Sequence, residues 1–213
     1  MFLVGIAGGS GSGKTTFTKK IIQRVGSPEL AILHQDSYYL PELPAHLRNG
    51  EEANFDHPDA FDWGLLKDHL KLLKQGNAAE VPTYDFRTSS RQTETHSVGP
   101  CRAILVEGIF TLWEPEIRDL LDLKIYLHVE ADIRFIRRLH RDVRERGRNL
   151  DGIIRQYYDT VRPMYHEFLE PTKGYADLVV GEETDIAADV IAARIRDQIH
   201  RGGMQDGVGA VHS

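Results

Sequence analysis

The run Gly8-Gly9-Ser10-Gly11-Ser12-Gly13-Lys14-Thr15 has the spacing G-x-x-x-x-G-K-[ST]. Each residue type has a physical task in such a run. Glycines let the chain wrap tightly, so that successive backbone N–H groups converge on phosphate oxygens. A helix starting at the end of the run adds partial positive charge. Lys14 supplies a full charge for the outer phosphates, and the Thr15 hydroxyl is placed to ligate a Mg²⁺ ion bridging two of them. A flexible glycine turn is the plain alternative. The context decides against it, because an apolar stretch, 2–7, precedes the run and an amphipathic one, 16–25, follows it.

Binding a nucleotide is not yet transferring its phosphate. Transfer also needs a held metal and an oriented acceptor hydroxyl. Asp36 follows the apolar stretch Ala31-Ile32-Leu33, and Glu107 follows Ile104-Leu105-Val106. Both fall at the carboxyl ends of expected strands, where open α/β sheets bind ligands. Asp36 is the candidate for accepting or aligning the proton of an acceptor hydroxyl. Glu107 is the candidate for the metal or its water, and Thr15 and Asp36 complete the candidate metal set. The plain alternative is that either acid caps a turn; beside a phosphate loop the catalytic reading is favoured.

Arg134, Arg138 and Arg141 recur at i, i+4, i+7 and share a helix face, while Arg137, Arg141 and Arg144 trace the neighbouring stripe. Arg146 and Arg148 flank Gly147, which is expected to end the helix. A solvated face paired with Asp132, Asp142 and Glu145 is the plain reading of such a run. Next to a phosphate loop, arginine forks suit the charge of a transferring phosphoryl group. A lid carrying them also excludes water and limits wasteful hydrolysis, and this reading is preferred. RNA binding by the same face would want interleaved aromatics, which the run lacks.

The elements that must hold these groups read as alternating strands and helices. Residues 2–7, 31–33, 103–106, 123–129 and 178–180 are short apolar runs of strand type. Helical periodicity covers 16–25, 65–73, 131–146, 153–168 (kinked or restarted near Pro163) and 186–200. The pattern predicts an α/β fold of P-loop NTPase type, a parallel sheet with helices on both faces. Residues 80–86 and 93–98 read as a β-hairpin. Together with the three-proline connection over 40–62 it is expected to form a flap beside the nucleotide site. A single domain is expected over 1–201, with the arginine-rich helical lid at about 131–160 and a flexible tail over 202–213.

The 213 residues carry 26 Lys and Arg against 32 Asp and Glu, a net charge of −6, which gives no long-range attraction to nucleic acid. A single cysteine, Cys101, cannot form an internal disulfide and suits a reducing compartment. No apolar run nears the roughly 18 residues that span a bilayer, and the N-terminus reads directly as a strand rather than as a signal peptide. The expectation is a cytoplasmic enzyme of small-molecule substrates, with neither nucleic acid nor membrane as partner.

Seven segments appear in a familiar order: Gly8 to Thr15, Gln35-Asp36-Ser37-Tyr38-Tyr39, Asn54 to Asp62 (NFDHPDAFD), Pro82-Thr83-Tyr84-Asp85-Phe86, Glu107-Gly108-Ile109, Arg141 to Arg148 (RDVRERGR) and Pro171 to Asp177 (PTKGYAD). On them the chain, from residue 3 to about 185, resembles the uridine kinase (uridine–cytidine kinase) family of P-loop kinases. The resemblance implies transfer of the γ-phosphate of ATP (or GTP), with Mg²⁺, to the 5′-hydroxyl of uridine or cytidine. It implies that Asp36 acts on that hydroxyl, that Asp56 holds the ribose hydroxyls, and that Tyr84 and Phe86 frame the base. Arg138, Arg148 and Gln156 would approach the nucleoside. Arg141 and Arg146 would approach the ATP phosphates, with Arg141 and Lys14 counted as catalytic beside Asp36. Asp185 would lie near the nucleotide's base, so that the donor set is Gly8, Gly9, Ser10, Gly11, Ser12, Gly13, Lys14, Thr15, Arg141, Arg146 and Asp185. A homo-oligomer, tetramer or dimer, is also implied.

These roles make physical sense, since one carboxylate can accept from two vicinal hydroxyls and so favours ribose. Taken alone, Tyr84 and Phe86 at alternate strand positions would read as core. The chain departs from the family pattern at Ser89, where a histidine usually reads the pyrimidine edge. Serine is too short for that reach, and His96, further along the hairpin, is the residue that could replace it. The departure keeps a second reading open, a related P-loop kinase acting on another nucleoside or a sugar phosphate. A nucleotide-binding switch with little catalysis is the reading from a different class; Asp36 argues against it, as does the lack of an Asn-Lys-x-Asp segment.

Overall fold

The structure, a computed structural model, describes residues 1–49 and 52–208. In chain order the strands are β1 (Phe2–Gly8), β2 (Leu30–His34), the two-residue β3 (Arg48–Asn49) and β4 (Glu52–Ala53), β5 (Ala79–Asp85), β6 (Ser90–Val98), β7 (Ala103–Glu107), β8 (Leu123–Leu127) and β9 (Leu178–Val180). The α-helices are α1 (Lys14–Val25), α2 (Trp63–Lys74), the short α3 (Pro115–Arg118), α4 (Ala131–Arg144), α5 (Leu150–Gln156), the short α6 (Arg162–Met164) and α7 (Asp185–Val208).

Every residue of β1 is buried. A strand with no polar face must lie inside a sheet that is covered on both sides. The main sheet has the order β2-β7-β1-β8-β9 and all its pairs are parallel. Successive side chains of β1 point to opposite faces and enter different cores. Val4 and Ile6 pack with Phe17, Ile21, Ile191 and Ile195 under α1 and α7. Leu3 packs with Leu33, Val106, Leu66, Leu70 and Phe110 under α2 and the flap.

The register decides where the chemistry emerges. Glu107 stands opposite His34 of β2 on one side and Ile6 of β1 on the other. The loop after β1, the turn after β2 and the end of β7 therefore leave the sheet side by side.

The flap forms as an antiparallel pair of β5 and β6, irregular between Pro82 and Tyr84. Its alternation is weak in the sequence because Thr93 to Ser97 are all exposed. The 40–62 connection closes on itself: Leu40 N–H donates to Ala60 O at 2.9 Å and Asp62 N–H to Tyr38 O at 2.8 Å. Leu43, Leu47 and Phe61 pin it to the core.

In the lid, α4 ends at Arg144, two residues earlier than its charge pattern suggests, and Gly147 adopts a left-handed φ of +64° just beyond. After α5 the chain stays helical through Pro163. The backbone widens into π turns over Tyr157–Val161 and Tyr165–Leu169, which accommodates the missing proline N–H without the expected restart. α7 runs on to Val208, past the His200 end expected, and takes in Gly202 and Gly203. Glycine inside a helix costs about 1 kcal/mol without terminating it. The rest of the expected tail, 209–213, lies outside the described residues. Among the described residues no helix is long and apolar enough to cross a membrane.

Candidate active site

The phosphate loop joins β1 to α1. Gly8, Gly11 and Gly13 have φ of +149°, +81° and +90°, which only glycine adopts freely. At Gly11 a side chain would also strike the backbone of Arg134, so α4 packs directly on the loop. Lys14 Nζ donates to Gly8 O at 2.9 Å and to Gly9 O at 3.2 Å. Burial pushes the Lys14 ammonium down to about 8, with the nearby charges of Glu107 and Asp36 opposing. An anion held in the loop would push it back up.

Glu107 is buried at the end of β7. Its Oε1 accepts from Thr15 Oγ1 at 3.0 Å and lies 2.8 Å from His34 Nδ1, while its Oε2 accepts from Thr18 Oγ1 at 3.1 Å. Burial pushes its carboxyl up, but the His34 hydrogen bond and the His34 and Lys14 charges outweigh that and hold it below the usual value. The same hydrogen bond raises His34. An ionised carboxylate bonded to the motif threonine makes an all-oxygen donor set of the kind a hard dication takes.

Asp36 lies in the 3₁₀ turn Gln35–Tyr38 after β2. Withdrawal from water pushes its carboxyl up, with Lys14 opposing. Gln35 fixes this turn. It is fully buried, its Oε1 accepts from Phe110 N at 2.9 Å, and it lies so close to Gly108 that any side chain there would collide with it. The turn bearing Asp36 is thus locked to the strand end bearing Glu107.

These groups open onto one cleft of about 840 Å³. Lys14, Thr15, Asp36 and Glu107 form its base, and Arg138, Arg141, Arg146, Arg148 and Gln156 its lid side. Asp56, Tyr84, Phe86 and Ser89 complete the walls. Arg138 donates to Ser10 Oγ at 3.1 Å and to Gln156 Oε1 at 3.0 Å, and Arg148 donates to the same Gln156 oxygen at 2.6 Å. Asp56 Oδ2 accepts from Thr160 Oγ1 at 3.0 Å.

Tyr84 and Phe86 are not the core pair that alternate strand positions suggest. Their rings are 5.2 Å apart, Tyr39 stands 5.0 Å from Tyr84, and Phe86 is 40% exposed. The Arg146 guanidinium lies 4.2 Å above the Phe86 ring and ties lid to flap. Burial pushes the Tyr84 hydroxyl up to about 12, while the adjacent Ser89 side chain acts in the opposite sense.

Two expected residues lie elsewhere. Asp185 is outside the cleft lining and pairs with Lys20 at 2.9 Å and Arg24 at 2.7 Å on α1. His96 is exposed, stands opposite Val81 in the hairpin and does not line the cleft, so it is no substitute for a histidine at position 89. The solvated-face reading of the arginine run also fails at Asp142, which is fully buried among the arginines themselves. Thr160 and His34 were not singled out by sequence, Tyr39 was given no role there, and Asp142 was named only as a surface partner of the arginines. Thr160 stands four residues after Gln156, and Asp142 four after Arg138, so helical spacing was a usable signal for both. Tyr39 and His34, on a turn and at a strand end, carry no periodic mark.

Residues 3–187 match the Phosphoribulokinase / Uridine kinase family. A uridine kinase of Clostridium tetani is 46% identical over 201 residues, 93% of this chain and 96% of that protein. One of Deinococcus deserti is 44% identical, over 93% of this chain and 97% of its own. Among solved structures, a phosphoribulokinase of Rhodobacter spheroides superposes with a TM-score of 0.64 at 17% identity, over 84% of this chain and 69% of that one. A D-glycerate 3-kinase of Cryptococcus neoformans gives 0.65 at 18%, over 86% and 87%. At such identities the structural likeness establishes the P-loop kinase fold.

The depressed Lys14 has a measurable consequence in the ligand-free protein. Its folded value, about 8, lies below the ordinary lysine value of 10.5. Between the two the unfolded chain binds more protons, so stability rises with pH across that window. Urea denaturation at several pH values should show this rise in the wild type and a flatter dependence in Lys14→Met. Equal slopes would mean that Lys14 titrates normally.

Proposed function

Because the chain belongs to the phosphoribulokinase and uridine kinase family, we propose that it phosphorylates the 5′-hydroxyl of uridine or cytidine, giving the nucleoside monophosphate. It is a P-loop nucleoside kinase: its phosphate donor is a nucleotide, here assigned as ATP (or GTP), and its acceptor is a small molecule. The observation that carries the reading is the shared cleft, with the phosphate loop and two carboxylates at its base and Asp56, Tyr84 and Phe86 on its walls.

Thr15, with Glu107 and Asp36 facing the same space, would hold Mg²⁺, which would supply positive charge against the donor phosphates. Lys14, Arg141 and Arg146 neutralise the negative charge of the transferring group. Asp36 aligns the 5′-hydroxyl and takes its proton, a task for which a raised pKa suits it. The 5′-oxygen bonds the γ-phosphorus as the bond to the β,γ-bridging oxygen breaks, and the donor leaves as the diphosphate.

Asp56 accepts from the two ribose hydroxyls, and Tyr84 and Phe86 on the flap frame the base. Arg138, Arg148 and Gln156 complete the nucleoside side. Lid and flap, joined through Arg146 and Phe86, keep water from the γ-phosphate. Asp185, fixed by Lys20 and Arg24 at the first turn of α7, is assigned to the donor's base. Assembly as a tetramer or dimer belongs to the same reading.

The test is product formation from a panel of ribonucleosides and deoxyribonucleosides with Mg-ATP. Uridine or cytidine should be phosphorylated and deoxyribonucleosides disfavoured. Asp36→Asn should still fold and bind ATP while losing turnover about 100-fold or more. Near-wild-type turnover would remove Asp36 from the mechanism, and inactivity of a folded, ATP-binding protein on every nucleoside would remove the acceptor assignment.

Ser89 sits at the hairpin turn with a φ of +52° and lines the cleft. Ser89→His places a ring with a hydrogen-bonding edge there, and activity on uridine and cytidine relative to purine nucleosides should rise. An unchanged ratio across bases would exclude this turn from base reading.

A further inference from the structure

Asp142 is the fully buried acid of α4, and four arginines reach it. Its Oδ1 lies 2.9 Å from Arg141 and 3.5 Å from Arg146. Its Oδ2 lies 3.5 Å from Arg138 Nε and 3.7 Å from Arg148 Nη1. The two oxygens thus divide the arginines by site. Oδ1 faces the pair assigned to the donor phosphates, and Oδ2 faces the pair assigned to the acceptor.

The two halves differ in quality. Arg141 Nε makes a hydrogen bond to Oδ1 at 2.9 Å. Among the described residues Oδ2 and Arg138 Nε, both buried, have no hydrogen-bond partner, although they are only 3.5 Å apart. A buried carboxylate oxygen left at ion-pair distance gains if a guanidinium closes on it. The acceptor-side arginines already share a second anchor, Gln156 Oε1, which takes hydrogen bonds from both. They are therefore tied to each other through one acceptor.

We infer that Asp142 is a positioning residue that couples donor and acceptor binding. Donor phosphates draw Arg141 and Arg146 away from Oδ1. The freed carboxylate then closes on Arg138 and Arg148 and sets them, with Gln156, for the nucleoside. Without that charge the withdrawal of Arg141 and Arg146 is not passed on to the acceptor pair, which keeps only its Gln156 anchor. The inference rests on the division of the arginines between donor and acceptor proposed above.

The experiment is calorimetric titration of uridine into the full chain, with and without Mg²⁺ and a non-hydrolysable ATP analogue. In the wild type the analogue should tighten uridine binding about tenfold. Asp142→Asn keeps the size and removes the charge, and the coupling factor should fall toward one. Asp142→Glu keeps the charge but displaces it by one methylene, and should give an intermediate factor.

A purely structural Asp142 would lower the melting temperature and leave the factor intact. A wild-type factor in either variant that folds overturns the inference, as does a factor of one in the wild type itself. If uridine does not bind the wild type at all, it is the acceptor assignment that fails. The donor half is then read alone: because the phosphates must draw Arg141 and Arg146 from Oδ1, Asp142→Asn should tighten analogue binding about fivefold, and equal or weaker binding overturns the inference.

Discussion

Positive charge crowded at the carboxyl edge of the sheet is the constraint on which the rest of the structure depends. Lys14, Arg138, Arg141, Arg146 and Arg148 all face one cleft. Like charges about 4 Å apart repel by about 1 kcal/mol in water, and by several times more where water is displaced. Carboxylates answer them: Asp56 on the wall, 3.9 Å from Arg138, Glu107 and Asp36 at the base, and Asp142 in the lid. The last three are each held by a different piece of the fold. Glu107 is placed by strand register and by Thr15 and Thr18. Asp36 is placed by the Gln35 turn packed on Gly108. Asp142 is placed by the buried face of α4.

A polyphosphate is the ligand that such an arrangement suits. It brings negative charge to a cluster of cations, and it restores a full charge to a lysine that burial has weakened. The lid has the same logic. Arg134 and Arg138 are buried while Arg137 pairs at the surface with Glu182, so α4 presents one charged face inward and one outward. The inward face packs against the phosphate loop itself at Gly9 and Gly11.

Much of this was legible in the sequence, and the reason differs from case to case. The loop could be read because every one of its residue types has one physical task. The strands of the main sheet could be read because each centres on a short apolar run. Asp36 and Glu107 could be read from position alone, as the first acids after such strands. The burial of Asp142 could not, since an acid within a run of arginines is normally a solvated partner, and only tertiary packing against the loop turns that face inward. Tyr84 and Phe86 show the converse, because strand alternation points to core and the flap's position beside the lid puts them in the cleft. The π turns around Pro163 and the length of α7 depend on packing that no local pattern records. Asp185 was placed by resemblance, and its ion pairs with α1 could not have been read from residues more than 160 positions apart in the chain.

Transfer to a nucleoside hydroxyl inside a water-excluding cleft is tested most directly by replacing uridine with 5′-deoxyuridine, which keeps the ribose diol and base and lacks the attacking oxygen. It should compete with uridine for binding, yet ADP formation from Mg-ATP in its presence should stay at the rate seen without any nucleoside. ADP released at the uridine rate would mean that water reaches the γ-phosphate as readily as the 5′-hydroxyl does. The assignment of cleft, lid and Asp36 to acceptor phosphorylation would then be contradicted.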